Sequence, residues 1–360
     1  MIFSFGNLLK DRIGMESKMI TIKDIAELAG VSPTTVSNVL HGRTQKVSLD
    51  TLNKVNGILE KSNYVSNMGA RSLANYGSRI IGVIVTYDRN RDRSAIQDPF
   101  YSEIIGALER EIRENKYFMM LYTSESVNES VRMAASWNIE GLIVLGCPPA
   151  DCAKYKEKTQ VPLVFIDSYA KNPQYLYYNV GLNDFEGGYE MTSYLIRRGH
   201  QRIAFMADTQ ELIGVDRERF EGYQSALRDN HLQFASCDYI PIHYNQSIRH
   251  TQLTEFAQDR MQEYSALFIA SDYYASDAVN IFFSLGFNVP EDISVVGFDD
   301  NVFARQCRPG LTTMKQCVSD KASYAMQMLL KLLQNETVTD TNIHLPVKLV
   351  IRDSVKQIVK

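Results

Sequence analysis

Beyond residue 79, short apolar runs alternate with amphipathic segments, and this alternation restricts the fold more than any other feature. The apolar runs are IIGVIV, YFMMLYT, GLIVLG, PLVFID, RIAFMAD, YIPIHY, ALFIAS and ISVVGFDD. Helical stretches between them include FYSEIIGALEREIREN, FEGGYEMTSYLIRRG, RERFEGYQSALRDN and YYASDAVNIFFSLG. Continuous apolar strands separated by helices indicate parallel sheets covered on both faces. About eight such units are more strands than one sheet usually contains. We therefore predict two α/β lobes that divide near Tyr178–Gly181.

The preceding segment, residues 19–65, has the pattern of three short helices. The first is TIKDIAELA, with Thr21 as a possible N-cap. After a tight GVS turn, PTTVSNVL begins with Ser32 in the N-cap position and Pro33 at the first helical position, where a missing N–H costs nothing. The third helix, DTLNKVNGILEKSNY, is amphipathic and follows Ser48 as its cap. These segments predict a small all-α unit.

The second of these helices has one apolar and one small polar face. Val36, Val39 and Leu40 point inward, and the opposite face carries Thr34, Thr35, Ser37 and Asn38. Two short helices of this kind match a helix-turn-helix whose second helix enters the major groove of DNA. Asn pairs with adenine, and Ser or Thr contacts bases or phosphates. The alternative is a helical hairpin whose polar face is merely solvated.

Charge is divided unevenly along the chain. Residues 19–79 contain seven Lys or Arg against four Asp or Glu, whereas the whole chain has a net charge of −4. Residues 1–18 add a net charge of +1, so residues 80–360 carry a net charge of −8. A basic head on an acidic body indicates a polyanionic partner for the head alone.

Composition also bears on the compartment. No apolar run reaches the roughly 18 residues of a membrane span. The start, MIFSFGNLLKDRIG, lacks a basic region and a cleavage site, so we expect a disordered tail over residues 1–18, or an upstream choice of start codon, rather than a signal peptide. The five cysteines form no CxxC pair, which disfavours a disulfide framework and a zinc site. These features predict a reduced, cytoplasmic compartment.

A longer set of motifs resembles one known family. TIKDIAELAGVSPTTVSNVLHG and YVSNMGARSL are followed in order by PFYSEIIGALE, VPLVFID, NDFEGGYEMTSYLIRRGHQRIAFM, RERFEGYQSAL, GFNVPEDISVVGFDD, LTTMKQ and IRDS. Together they resemble the lactose/galactose-repressor family of bacterial transcription regulators over about residues 19–355. The resemblance implies a helix-turn-helix head, a hinge helix and an α/β two-lobe effector domain similar to type I periplasmic binding proteins.

The resemblance also implies domain limits. It places a helix-turn-helix domain at 19–65, a hinge helix or linker at 66–78, and an effector-binding and dimerisation domain at 79–360. The expected lobes are an N-lobe of about 79–178 plus 314–341 and a C-lobe of about 179–313 plus 342–360. We expect a homodimer.

For DNA, the resemblance places Pro33, Thr34 and Asn38 where the family reads bases. It places Ser32, Thr35 and Ser37 where the family holds phosphates. NMGARSL matches a hinge helix that forms on operator DNA and inserts a leucine, here Leu73, into the minor groove. Arg71 precedes it by two residues and can reach a phosphate or the groove floor. Gly69 weakens the segment by about 1 kcal/mol relative to Ala, as expected of a helix that folds only when bound.

For the effector, the resemblance assigns seven cleft residues: Phe100, Tyr101, Asp167, Arg219, Ser271, Asp299 and Gln316. Ser271 stands where relatives often have Asn, and NDFEGG reverses their usual order of Asn and Asp. Alternatively, Asp299 and Asp300 cap the next turn, and Arg217 or Arg219 pairs with Glu218 or Glu221. A sugar or sugar derivative is the expected effector. An acidic ligand could instead use Arg89, Arg91 or Arg93, which could equally form a solvated tip.

Two other classes of protein compete with a DNA-binding regulator. An enzyme is disfavoured because GxxxxGK[ST], GxGxxG, HExxH and GxSxG are absent. His200 could act as a general base, but it follows a glycine typical of a helix C-cap, so we expect a structural role. The other histidines lack metal-ligand spacing, and we predict neither a metal nor a cofactor. An extracytoplasmic sugar-binding protein would share the body's architecture but not the head. We therefore predict a repressor.

Overall fold

The computed structural model describes residues 20–40, 43–62, 64, 77–86, 94–170, 175–208 and 212–358. The chain divides into two compact units, Met1–Tyr76 and Gly77–Lys360. The predicted tail at 1–18, most of the predicted hinge with Arg71 and Leu73, and the arginines Arg89, Arg91 and Arg93 lie outside the described residues. Within the described ranges, no helix combines the length and apolar character that crossing a membrane requires.

The first unit contains the three predicted helices, α1 (Ile22–Ala29), α2 (Pro33–Leu40) and α3 (Leu49–Lys61). Thr21 and Asp24 form a reciprocal capping box at the start of α1. Ser48 caps α3, since its side chain accepts a hydrogen bond from the backbone N–H of Thr51. Gly30 ends α1 in the left-handed region at φ +68°, where a residue with Cβ would be strained. These caps start the helices where the sequence predicts, but α3 ends at Lys61, before the predicted end at Tyr64.

The three helices enclose one small core. Its fully buried side chains come from all three helices: Ile25, Ala26, Ala29, Val36, Val39 and Val55. The partly buried residues around it include Leu40, Leu52, Ile58 and Leu59. The polar face of α2 therefore points away from this core.

The second unit contains two six-stranded sheets, each with helices around it. The first sheet has the strand order β11-β5-β4-β3-β1-β2, with all neighbours parallel. Its strands are β1 (Ile80–Val85), β2 (Phe118–Thr123), β3 (Gly141–Leu145), β4 (Leu163–Ile166), β5 (Asn179–Leu182) and β11 (Asn342–Leu345). We call this sheet and its helices the first lobe.

The second sheet has the order β12-β10-β9-β8-β6-β7, and only its edge strand β12 runs antiparallel. Its strands are β6 (Ile203–Ala207), β7 (Tyr239–Pro241), β8 (Ala266–Ile269), β9 (Ser294–Asp299), β10 (Thr312–Lys315) and β12 (Lys348–Val350). This sheet and its helices form the second lobe. All eight predicted apolar runs contain strands of these two sheets.

The helices of the second unit follow the strands in alternation. They are α4 (Pro99–Glu114), α5 (Val127–Ser136), α6 (Pro149–Lys158), α7 (Asp184–Arg197), α8 (Gly214–Asp229), α9 (Gln246–Asp259), α10 (Asp272–Ser284), α11 (Val302–Gln306) and α12 (Val318–Leu333). The chain crosses between the lobes three times, after β5, β10 and β11, because the next strand or helix belongs to the other lobe. After β10, that element is α12, which packs against α4 and β4 of the first lobe.

The lobe limits differ from the predicted ones. Residues 179–182 and 342–345 were assigned to the C-lobe, but β5 and β11 complete the first sheet. Likewise, β10 extends to Lys315 in the second sheet, beyond the predicted limit at 313. The reason is pairing: β5 continues the parallel register of β4, with Phe165 opposite Asn179, and β11 then pairs with β5. The first crossover therefore follows Leu182.

Two glycines set the close packing of α7 against α8. A Cβ on Gly188 would lie 2.0 Å from the carbonyl oxygen of Arg219, and one on Gly222 would lie 2.0 Å from that of Phe185. No real Cβ approaches backbone so closely, so these positions require glycine. This contact brings the start of α7, with Asp184, beside Arg219.

Candidate functional site

The polar face of α2 has the exposure that a groove-reading surface needs. Ser32, Pro33 and Thr34 are exposed, and Thr35, Ser37 and Asn38 are half-buried. The Ser32 hydroxyl accepts a hydrogen bond from the Thr35 backbone N–H at 3.1 Å, so Ser32 caps this helix. A face of small polar side chains at a helix start can approach a base edge closely.

A second group of predicted residues gathers at the carboxyl ends of the strands in the two lobes. Asp167 follows β4, Ser271 follows β8, Asp299 ends β9 and Gln316 follows β10. Ligands bind at such strand ends in open α/β sheets. Three aspartates here adopt positive φ, with Asp167 at +54°, Asp299 at +122° and Asp300 at +56°. Backbone of this kind is costly and clusters at functional sites.

A chain of hydrogen bonds joins the two lobes through this group. Lys321 Nζ donates to both carboxylate oxygens of Asp167, at 2.9 and 2.7 Å, and to Gln316 Oε1 at 2.8 Å. Gln316 Nε2 in turn donates to Asp299 Oδ1 at 2.7 Å. The Ser271 hydroxyl approaches Asp299 Oδ2 at 3.5 Å. Four predicted residues are thus connected, through a lysine that the sequence analysis missed.

The sequence does contain a signal for Lys321. It lies on the apolar face of α12, flanked at helical spacing by the buried Val318, Ala322 and Ala325. Its side chain is fully buried, which lysine almost never is without a partner. A lysine in the middle of an apolar helix face therefore predicts a buried anion nearby, although not which one.

Arg219 is held beside this chain by an acid from α7. Its Nε donates to Asp184 Oδ1 at 2.8 Å and its Nη1 to the carbonyl oxygen of Ala270 at 2.7 Å. The guanidinium lies 3.6 Å from the centre of the Phe298 ring, a cation–π contact. The Tyr169 hydroxyl donates to the other oxygen of Asp184. Arg219 is therefore fixed rather than mobile.

The two predicted aromatic residues occupy the first turn of α4. Asp98 caps this turn, accepting from the backbone N–H groups of Phe100 and Tyr101 at 3.0 and 3.2 Å. Their rings meet edge to face at 5.4 Å between centroids. Lys321 Nζ lies 5.0 Å from the Phe100 ring centre, which places Phe100 in the same cluster.

Acids dominate the electrostatics of the cluster. Burial raises the pKa of Asp299 to about 7, despite the opposing Arg219 charge and the Gln316 hydrogen bond. Burial, with the charge of Asp208, likewise raises the pKa of Asp216 to about 7. Burial also raises the pKa of Asp167, against the lowering effect of Lys321. Shifted acids in a cleft are typical of functional sites.

Asp272 is a further acid that the sequence analysis did not select. Its carboxylate accepts from the Thr313 hydroxyl at 2.6 Å and from the Asn301 backbone N–H at 3.1 Å. Burial and the neighbouring Asp299 raise its pKa well above the ordinary value. It therefore links the turn after β9 to Thr313 of β10.

Of the alternative interpretations, the structure shows the helix-surface pair of Arg217 but not that of Arg219. Arg217 pairs with Glu221 at 2.8 Å on the helix surface, as the alternative expected, whereas Arg219 pairs with Asp184 instead of a helix neighbour. The turn after β9 is capped by Asn301, and Asp300 binds Arg352 at 2.5 Å.

His200 has a structural position. It is fully buried, with Nδ1 at 3.1 Å from the Ser265 hydroxyl and Nε2 at 3.3 Å from the carbonyl oxygen of Lys356. Burial lowers its pKa to about 4. Among the residues that the structure describes, no group of three or more His, Cys, Asp or Glu is arranged to hold a metal ion.

Two family models match the chain in its two units. Residues 21–67 match the bacterial regulatory proteins of the lacI family. Residues 192–355 match a periplasmic binding protein-like domain. The first match covers the helical head, and the second covers most of the second lobe together with α12 and β11 of the first lobe.

Relatives match the chain over nearly its whole length. A probable HTH-type transcriptional repressor ExuR from Bacillus subtilis is 31% identical, covering 94% of this chain and 99% of the relative. The HTH-type transcriptional repressor PurR from Pasteurella multocida is 30% identical over the same shares. A crystal structure of the Lac repressor dimer bound to operator and the anti-inducer ONPF has a TM-score of 0.82 at 26% identity, covering 94% of this chain and all of that one.

Proposed function

The chain belongs to the lacI family of bacterial regulatory proteins, and we propose that it represses transcription from a pseudo-palindromic operator under the control of a sugar or sugar derivative. It is a DNA-binding repressor that acts as a dimer and responds to a small ligand. A two-fold symmetric dimer presents its two heads to two half-sites, which is why we expect the operator to be pseudo-palindromic.

The observation that supports a sugar is the mixture of groups around Asp299. Among the described residues, its Oδ2 has only a long contact with Ser271, so the carboxylate retains capacity to accept a hydroxyl hydrogen bond. Arg219 and the Phe100 ring lie in the same cluster. Carboxylate acceptors and aromatic faces suit a ring that carries hydroxyls on its rim and C–H groups on its faces. We assign Phe100, Tyr101, Asp167, Arg219, Ser271, Asp299 and Gln316 to this site.

The compartment follows from the DNA partner. All five cysteines are free thiols, three of them buried, as in a reducing environment. We therefore place the protein in the cytoplasm, acting without catalysis of its own.

Asp299→Asn tests the effector site. The variant should bind operator as the wild type does, because the amide can still accept from Gln316. It should lose the response to effector, since a neutral amide accepts hydroxyls more weakly. The measurement is operator affinity, on a duplex selected from a random pool, with and without each member of a sugar panel. A variant that responds like the wild type would contradict the assignment.

The pH dependence of effector binding follows from the same carboxylate. A ligand hydroxyl donates to the ionised form of Asp299, so protonation competes with the ligand. With a free-protein pKa of about 7, affinity should rise about tenfold between pH 6 and 8. Calorimetry on the wild type measures this slope, and Asp299→Asn should remove it. A slope that persists in the variant would point to Asp216, which titrates in the same range.

For the hinge, we propose that Leu73 enters the minor groove and Arg71 supports it. A leucine between base steps costs a few kcal/mol of unstacking and gains a bent duplex with more protein contact. Leu73→Ala should therefore lower operator affinity and the bend angle while leaving thermal stability unchanged. Circular-permutation gel mobility gives the angle. An unchanged angle together with early unfolding would instead indicate that Leu73 packs against its own domain.

A further inference from the structure

The Lys321 ammonium has every hydrogen-bond donor in use. An ammonium has three donors, and here they meet two oxygens of Asp167 and one of Gln316, all within 2.9 Å. The Phe100 ring covers a further side at 5.0 Å. Two carboxylate oxygens, an amide oxygen and a ring form a site for an ammonium group, which the chain's own lysine fills.

The orientation of the Gln316 amide is fixed by this lysine. An ammonium cannot accept a hydrogen bond and an ionised carboxylate cannot donate one. Gln316 must therefore turn Oε1 to Lys321 and Nε2 to Asp299, as the distances of 2.8 and 2.7 Å show. Lys321, which belongs to the first lobe, thus makes Gln316 present its NH₂ group to Asp299 of the second lobe.

The charge balance of the cluster follows from these pairs. Within the described part of the cleft, Arg219 is neutralised by Asp184 and Lys321 by Asp167. Among the described residues, Asp299 has no cation within 4.0 Å, and Asp216 has only Arg219, at 4.0 Å. An anionic ligand would meet these acids with no unengaged cation among the described cleft residues, and like charges at close range are costly.

We propose that Lys321 is a specificity-determining residue of the cleft. Its ammonium keeps Asp167 and Gln316 engaged, so the cleft reads an uncharged polyhydroxylated ligand through Asp299 and rejects ligands carrying a carboxylate or phosphate. The inference rests on the proposed function in one respect, because it takes the cleft as the effector site.

The first experiment compares matched sugars on the full-length protein. The probes are D-glucose, D-glucosamine and D-glucuronate, and the corresponding galacto-sugars; in each set the amino sugar differs from the neutral sugar only at C2 and the uronate only at C6. Calorimetry at pH 8, where an acid with a pKa of about 7 is mostly ionised, should show the neutral member binding about tenfold or more tightly than the acid, because the acid must either repel Asp299 or bind its protonated form. Tighter binding of the acid overturns the proposal.

Lys321→Met then changes the selectivity. Without the ammonium, the Asp167 carboxylate becomes available to a ligand, so the preference should move toward the amino sugar by about tenfold or more. Lys331→Met is the matched control, because it makes the same change at an exposed position on the same helix. An unchanged selectivity in Lys321→Met, equal to that of Lys331→Met, overturns the proposal.

A third measurement does not depend on the sugar. Lys321→Ala lacks three methylene groups and the ammonium, which are the atoms of n-propylammonium. Millimolar n-propylammonium chloride should raise the melting temperature of Lys321→Ala and not that of the wild type, with sodium chloride as the salt control. If no sugar binds, the proposed effector class fails. In that case, the ammonium site at Lys321 is still supported if n-propylammonium stabilises Lys321→Ala. It is contradicted if n-propylammonium has no effect on that variant.

Discussion

Replacing Arg219 by methionine is expected to cost about 3–5 kcal/mol of unfolding free energy, because it leaves a buried carboxylate without its cation. Asp184 is 1% exposed and receives the Arg219 Nε at 2.8 Å. The substitution also removes the donor to the Ala270 carbonyl oxygen and the contact with Phe298. Urea denaturation of the body measures the loss. In the fraction that stays folded, operator binding should persist without an effector response.

The same helix supplies the control for this prediction. Arg217 lies two residues away, is exposed and pairs only with Glu221 on the surface. Arg217→Met should therefore leave stability unchanged, since exposed ion pairs contribute little. Asp184→Asn should recover part of the loss when combined with Arg219→Met, because it removes the unpaired charge. Equal midpoints for the two arginine variants would contradict the role given to the Asp184 pair.

Most strands that the sequence predicts are buried along their length, although the edge strands β2 and β7 are only partly buried. β3 is buried at every position, so its sequence is a continuous apolar run that can be recognised without the structure. The missed strands are short or polar. In β5, the buried Asn179 bonds Asn342 at 3.0 Å and accepts from the Ser168 N–H at 3.2 Å. In β10, Thr312 and Thr313 are buried with their hydroxyls bonded internally. Polar residues satisfied by distant partners leave no periodic pattern.

For the site as well, the sequence indicates some features and not others. Local spacing suggested that Arg219 pairs along its helix, but its partner Asp184 lies 35 residues away, because Gly188 and Gly222 allow α7 and α8 to touch. The partners Asp167 and Lys321 are separated by 154 residues. Resemblance to a family named seven residues for a cleft, and four of them lie along one chain of hydrogen bonds. It could not indicate how their charges are paired, because the pairing depends on a lysine outside the quoted motifs.

Raising salt from about 50 to 200 mM should weaken specific operator binding by about 10³- to 10⁵-fold, if the two heads neutralise roughly six to ten phosphates. Each head, residues 19–79, is small and has more basic than acidic residues, whereas the body, residues 80–360, has a net negative charge. The body therefore adds repulsion toward DNA and cannot supply the attraction. Fluorescence anisotropy across a salt series, plotted as the logarithm of affinity against that of salt concentration, gives the number of ions released.

Asn38→Ala provides the matched control for the salt series. Asn38 is uncharged and lies on the polar face of α2, where we assign it to base reading. Losing one such contact should cost about 1–3 kcal/mol per half-site. The salt slope should stay the same, because no phosphate partner has been removed. A flat salt series for the wild type would contradict the basic head as the DNA-binding unit. A changed slope in Asn38→Ala would instead move Asn38 from the bases to the phosphate backbone.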